Sequence, residues 1–317
     1  MAGDTVRVLT GKDRADAVNA VRQTVLAALA GITVLAGLVY TARSYALSRR
    51  GQVTERFRAA IEQLASGKLE VRLGGVYSLE HVLTESPQDH TAIVNVLAGF
   101  IRNTTHRGPS NEPLALPHER NPSHRDVAWG IELPADLQAA ANVLARRPDR
   151  HEPRRVDLRS AGLAGLSLRH FEFDSPPSLS WMFLTSADLR RADLRGVDFR
   201  RSILNYADLC LAWLGKARLD GVGLFAADLR GAQMNEAILV QTDLRAADLR
   251  ECEGLTAHQL SVAAIDTTTR LPDVLQDDPW VVARLEDCGS WDRQHGTTAC
   301  APPTPQPPQT HRSSAGL

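Results

Sequence analysis

The chain has 317 residues, 43% of them hydrophobic, with 36 Lys+Arg against 37 Asp+Glu and a formal net charge of −1. That length and apolar content exclude a wholly disordered polypeptide and allow one large domain or two or three small ones. The near-zero charge excludes a global field that would draw a polyanionic or strongly basic partner.

Residues 1–23 form an N-terminal arm. From Thr24 to Ala42 runs TVLAALAGITVLAGLVYTA, without a charge, between Arg22 and Arg43. A helix of that length rises ~1.5 Å per residue and spans about 28 Å, the thickness of a bilayer core. Residues 24–42 are therefore expected to be a single-pass transmembrane helix in the cell membrane, with Tyr40 at the interface. A cleaved signal peptide is the competing reading; against it stand the long apolar run and the lack of a good A-x-A site after it. Arg43, Arg49, Arg50, Arg56 and Arg58 after the helix slightly outweigh Arg7, Lys12, Arg14 and Arg22 before it, which leans the C-terminal part toward the cytoplasm. Ala27/Gly31 and Thr33/Gly37 would let two such helices approach, although small residues are common in membrane helices anyway.

Residues 52–103 read as a small helical bundle. Val53, Phe57, Ile61 and Leu64 recur at helical spacing, as do Leu69, Leu73, Val76, Leu79 and Leu83. A third helix is expected to start at Ser86-Pro87-Gln88-Asp89, a capping-box-like opening, and to turn Ile93, Val94, Leu97, Phe100 and Ile101 inward. Glu62, His81 and His90 lack metal-ligand or acid–base spacing and are expected to be solvated. Residues 104–130 are Pro-, His- and Asn-rich without periodicity, a linker in which His106, His118 and His124 form no helical ligand pair. Residues 133–148 read as another helix, or as an N-terminal cap on the next domain. The cysteines, Cys210, Cys252, Cys288 and Cys300, show neither a zinc-ligand pattern nor a disulfide framework and read as reduced thiols.

From Pro177 the chain divides into blocks of five: PSLSW, MFLTS, ADLRR, ADLRG, VDFRR, SILNY, ADLCL, AWLGK, ARLDG, VGLFA, ADLRG, AQMNE, AILVQ, TDLRA, ADLRE. Every central residue from Leu179 to Leu249 is Leu, Phe or Met, a run whose chance occurrence is on the order of a few in a million. The first position is mostly Ala, otherwise chiefly Val, Ser or Thr. Leu158, Leu163, Leu168 and Phe173 keep the same step, and one extra residue near Pro176-Pro177 shifts the frame. Neither a helix nor a strand uses a period of five. A backbone that turns about a right angle per block would, and four blocks would close a coil of 20 residues. ADL recurs at 187, 207, 227 and 247, at that spacing. The expected core is Leu189, Leu194, Phe199, Leu204, Leu209, Leu214, Leu219, Leu224, Leu229, Met234, Leu239, Leu244 and Leu249, stacked at ~4.8 Å per coil.

Residues 155–251 resemble the pentapeptide-repeat family, whose motif is A(D/N)LXX. The resemblance implies a mainly β fold, a right-handed quadrilateral β-helix, here preceded by the transmembrane helix and the small α-helical bundle. Residues 52–103 with the helix ahead of them look like the N-terminal region of actinobacterial membrane-anchored members. Residues 254–273 resemble the segment that closes many such solenoids, and 254–294 are expected to form a C-terminal cap over otherwise unpaired backbone groups. Residues 295–317 are Pro-rich and polar, and read as a disordered tail.

On the outside, Asp188, Asp208, Asp228 and Asp248 would stack once per coil. Like charges so close repel by about 1 kcal/mol even in water, so Arg190, Arg230 and Arg250, two residues on, are expected to relieve them. Leu211, Trp213, Phe225, Ile238 and Val240, with Ile203, occupy outer positions of the middle coils and form the candidate interaction surface, for an unknown protein partner or a homodimer. Some pentapeptide-repeat proteins imitate DNA and protect topoisomerases, which needs an acidic rod; residues 187–251 carry ten acidic and ten basic side chains, a poor imitation, and no nucleic-acid partner is expected. No catalytic motif, metal site or cofactor motif appears. The sequence thus predicts a non-enzymatic, membrane-anchored interaction scaffold, with a topoisomerase-protecting DNA mimic and an exported envelope scaffold as alternatives.

Overall fold

The structure, a computed structural model, describes residues 12–105, 132–169 and 175–295. The linker histidines, Phe173, Cys300, residues 1–11 of the arm and residues 296–317 of the tail lie outside them. The chain forms two compact units, Met1–Arg58 and Ala59–Leu317.

Helix α1, Lys12–Leu64, is one continuous run of 53 residues. This corrects the expectation of separate elements: most of the arm, the apolar stretch and the first amphipathic stretch are a single helix, since no proline interrupts them and Gly31, Gly37 and Gly51 cost only about 1 kcal/mol each. Within it, Ala15–Tyr45 is long and apolar enough to cross a membrane. Its Leu26, Ile32, Val34, Leu35 and Leu38 are more than half exposed. Thr24, Thr33 and Thr41 each donate the hydroxyl to the carbonyl four residues back, at 2.8–2.9 Å, which spends their polarity inside the helix.

In the second unit, α2 (Leu69–Glu85), α3 (His90–Thr105) and α4 (Ala135–Arg146) pack together. Leu79, Leu83, Ile93, Leu97, Ile101 and Leu144 are fully buried among them. Gly75 lets α2 close on the end of α1, because a Cβ there would lie 2.9 Å from the Ala60 carbonyl oxygen. The expected capping start at Ser86 is corrected: Ser86 follows the last residue of α2, residues 87–89 form a turn, and α3 begins at His90. Ser86 spends its hydroxyl on the Asp89 carboxylate at 2.6 Å.

Beyond α4 the chain winds into stacked coils joined by four parallel ladders. One runs Asp157, Phe183, Ile203, Gly223, Asp243, Ala264; the second Gly162, Asp188, Asp208, Asp228, Asp248, Arg270; the third Ser167, Asp193, Trp213, Gln233, Glu253; the fourth Ser178, Asp198, Arg218, Ile238. From Ser178 to Glu253 every step is 20 residues, four blocks of five. The expected core residues, from Leu189 to Leu249, are all at most 1% exposed, with Ala187, Ala192, Ala207 and Ala227 filling the gaps. The first coil is longer: Leu163 pairs one step below Leu189, because Gly162 bridges Asp188, 26 residues on.

The mainly β expectation is corrected. Among the described residues, regular strand is confined to β1 (Val156–Asp157) and β2 (Met182–Phe183), and the other coils are held by single-residue bridges. Each side of a coil is too short for more, because every fifth residue turns the corner. Those residues, from Trp181 through Ser186, Arg191 and on to Glu251, all have φ between +54° and +71°. From Ser186 on, each corner is closed by a bond such as Ala187 N–H to Leu184 O at 3.0 Å, the pattern of a turn with a left-handed third residue, while at Trp181 the Ser202 hydroxyl bridges Met182 N–H and Leu179 O. Only Gly196, Gly221 and Gly231 take that conformation freely; elsewhere it costs about 1–2 kcal/mol per corner. Burying the following leucine, at about 2 kcal/mol, offsets it.

Both ends of the stack are closed by side chains. At the first coil, Gln138 of α4 accepts from Ser167 N–H at 3.0 Å and donates to Ser167 O at 2.6 Å, standing in for a missing strand. Thr105 Oγ1 accepts from Gly162 N–H, and the Arg147 guanidinium donates to Ser178 O and Ser180 O. At the far end α5 (Ala257–Leu260) opens with a Thr256/Gln259 capping box, and Gln259 Nε2 donates to Met234 O and Ala237 O. Two further helices, α6 (Asp273–Gln276) and α7 (Pro279–His295), complete the described chain, and the buried Arg284 of α7 donates to Ala263 O at 2.7 Å.

Candidate interaction surface

With the axis filled by leucine and alanine, the chemistry of the coils lies on their outer sides. The side that carries the second ladder is ionic. Arg190, Arg230 and Arg250 each grip the aspartate two residues back, at 2.6–2.7 Å. Arg190 also reaches Asp208 of the next coil at 3.6 Å, and Arg230 reaches Asp248 at 4.0 Å. The same grip joins Asp193–Arg195, Asp198–Arg200 and Asp243–Arg245 on the other sides. Asp193, Asp198, Asp228 and Asp248 are themselves buried. Burial opposes ionisation of Asp248, yet hydrogen bonds from Arg250 hold its carboxyl below the ordinary value.

Asp208 breaks the pattern, because position 210 is cysteine. Among the described residues its carboxylate has only Cys210 N–H at 3.2 Å and the distant Arg190 at 3.6 Å. Burial, with Asp228 and Asp188 stacked above and below it, pushes its pKa up to about 7. The Cys210 thiol is pushed up to about 12, chiefly by burial, and so carries no charge at neutral pH.

The expected apolar surface is spread over three sides. Leu211, at the corner between the second and third ladders, and Trp213, on the third ladder, are each about 40% exposed, and Arg195 lies 4.8 Å over the Trp213 ring. Ile238 and Val240, also about 40% exposed, sit on the fourth ladder's side. Phe225 and Ile203 are half-buried on the first ladder's side, where Phe225 packs edge-on against Tyr206 with centroids 5.7 Å apart.

Two features have little signal in the sequence. His90, expected in solvent, is 2% exposed, with Nε2 3.2 Å from Glu152, which Arg147 also holds at 2.7 Å. Its partner is 62 residues away, so no local pattern announces it. His81 is exposed beside Glu85 at 3.3 Å, and Glu62 is exposed. The second feature is an Arg–Trp–Arg column at the corner entering the first ladder's side: Arg155, Trp181 and Arg201 occupy equivalent positions in successive coils, with the Arg155 guanidinium 3.9 Å from the Trp181 ring centroid.

Among known families, "Pentapeptide repeats" matches residues 184–221 and 227–253, in eight copies. Solved structures similar to this chain include a pentapeptide repeat protein, Rfr23, from the cyanobacterium Cyanothece 51142, at 22% identity over 36% of this chain and 90% of that one, TM-score 0.29. HetL, a pentapeptide repeat protein involved in heterocyst differentiation regulation from Nostoc sp. strain PCC 7120, matches at 30% identity over 36% of this chain and 51% of its own, TM-score 0.20. QnrB1, a plasmid-mediated fluoroquinolone resistance protein, matches at 17% identity over 42% and 84%, TM-score 0.17. No curated protein matches the chain.

Proposed function

Starting from residues 184–221 and 227–253 as pentapeptide repeats, we propose that this chain is a single-pass membrane protein whose solenoid, wound right-handed, serves as a rigid scaffold for protein partners on the cytoplasmic side. The observation that carries the reading is the closure of the stack: both ends are capped by side chains and the axis is filled, so only fixed outer sides remain to act. The exposed apolar stretch Ala15–Tyr45 supports the anchor. Leu211, Trp213, Phe225, Ile238 and Val240 stay candidates for contact, whether with another protein or a second copy.

The solenoid as a DNA mimic is the second reading, and the ion pairs disfavour it. Six aspartates are each neutralised by the arginine two residues on, so the sides lack the unrelieved negative charge that imitates a polyanion. An exported envelope scaffold is the third. Alkaline extraction of membranes tests the anchor, and protease protection of a C-terminal tag tests the side. Cross-linking capture from native membranes should recover a partner whose yield falls with Trp213→Asp, Ile238→Asp, Arg201→Glu or Ile203→Asp. Release by alkali, protection of the tag outside the cytoplasm, or inhibition of gyrase by the full chain would each overturn the corresponding clause.

A further inference from the structure

The first ladder's side differs from the other three in chemistry. Where the second, third and fourth ladders each carry at least one tight Asp–Arg pair in the middle coils, this one reads Phe183, Ile203, Gly223 over three successive coils. Among the described residues it meets an Asp–Arg pair at Asp157–Arg159 below this strip and at Asp243–Arg245 above it. At the far pair the Asp243 hydrogen bond, with smaller contributions from Asp292 and Asp266, raises the affinity of Arg245 for its proton. At the near limit, positive charge gathers. Asp157 is shared by Arg159 and Arg102, and Arg155 and Arg201 stand above and below Trp181 in the corner column. Among the described residues Arg155 meets rings rather than carboxylates: Trp181 at 3.9 Å and Phe183 at 5.7 Å. Burial lowers its pKa, the direction expected for a guanidinium drawn from water without a counter-ion.

We propose that this side docks an acidic protein segment bearing aromatic or aliphatic side chains. Its carboxylates would take Arg155 and Arg201, and its apolar groups would lie along Phe183, Ile203 and Phe225. The proposal rests on the scaffold reading and names which side acts and on what. Charge complementarity selects the occupant. A chain carrying net −1 overall places Arg155 and Arg201, which have no carboxylate partner among the described residues, at one end of its least ionic side, and arginine forks fit carboxylates. A single-stranded nucleic acid fits less well, since it needs open ring faces and a cationic track along its backbone. Here Arg155 covers Trp181, Phe225 is edge-packed on Tyr206, and the cations occupy one end. A second copy paired in parallel would set arginine against arginine.

The test uses the full chain in detergent and fluorescent poly(Glu,Tyr), with poly(Glu) and a dT oligonucleotide as comparators. Two changes break the surface while respecting the coil: Arg201→Glu, since Glu236 and Glu251 already occupy corners with positive φ, and Ile203→Asp, since aspartate occupies the same block position at 188, 208, 228 and 248. Lys216→Glu, at a different corner, is the control. The copolymer should bind at least tenfold more tightly than poly(Glu), and each of the two changes should weaken it about tenfold while Lys216→Glu does not. Equal binding of poly(Glu), stronger binding of the oligonucleotide, a change in particle mass with Arg201→Glu, or insensitivity to both changes would overturn the proposal. If the copolymer ignores this side while membrane capture still depends on Trp213 or Ile238, the docking side is wrong and the scaffold stands; if capture depends on none of them, both fall.

Discussion

Arginine at position 210 would complete the one interrupted step of the aspartate column. Asp208 holds its proton up to about pH 7 in the folded chain, against an ordinary value of 3.8, because it is buried between Asp228 and Asp188 without an arginine of its own. Its folded pKa is raised, so the folded state binds more protons than the unfolded one between about pH 4 and 7. The stabilisation is present in full below about pH 4 and is lost as pH rises through about 7. At ~1.36 kcal/mol per pKa unit the upper bound is ~4 kcal/mol; the Asp208 side chain is 23% exposed, so ~1–3 kcal/mol is the working expectation. Cys210→Arg should place a guanidinium where Arg190 and Arg230 already sit, return Asp208 to the ionised form and flatten that slope. Urea unfolding of the full chain in detergent, followed by circular dichroism at pH 5.5 and 8.5, reads the difference. Parent stability should fall over that interval and the variant's should not, with Cys210→Ser behaving like the parent. Equal slopes in Cys210→Arg and parent would refute the argument.

Gly75→Ala drives a Cβ to 2.9 Å from a backbone oxygen of α1, whereas at Gly74 the nearest atom is 3.8 Å away. The first should lose about 2 kcal/mol and the second less than about 0.5 kcal/mol in thermal melts. Gln138→Leu removes both hydrogen bonds to Ser167 and should cost about 1–3 kcal/mol. Hydrogen exchange should then quicken at Ser167 N–H before it does at Leu209, and a uniform loss of protection would contradict the capping role. Glu152→Ala strands the buried Arg147 and should cost about 3 kcal/mol. Arg147→Met also removes the bonds to Ser178 O and Ser180 O; the double variant should lose less than the sum of the two single changes, and a purely additive double-mutant cycle would count against a shared network.

The period of five was legible because it sits in residue types: a large apolar residue at each block centre and a small one two before it, as at Ala187 and Leu189. The corner conformation was less so. Its trace was the glycines at 196, 221 and 231, which share one block position; Arg201, Tyr206 and Leu211 take the same positive φ without any compositional mark. Burial of Asp228 and Asp248 escaped because aspartate at an outer block position reads as solvated until Arg230 and Arg250 fold over it. The end caps and the His90–Glu152 contact join residues 21 to 62 apart, beyond the reach of periodicity. The apolar candidates could be picked out from sequence, but their division among sides comes from counting each position around a coil of 20 and from the 26-residue first step.

That coil length governs how such a chain can change in size. An insertion of five residues inside the stack would carry every later block to the next side, scattering the Phe183–Ile203 strip and setting Arg250 against a stranger. An insertion of 20 would add a storey and leave every column aligned. The first coil shows a third solution: it is six residues longer than the others, yet the columns above it keep their step of 20. Sequence lengths among its close kin should therefore differ by whole storeys, or by excursions of any length at a corner, and seldom by a single block.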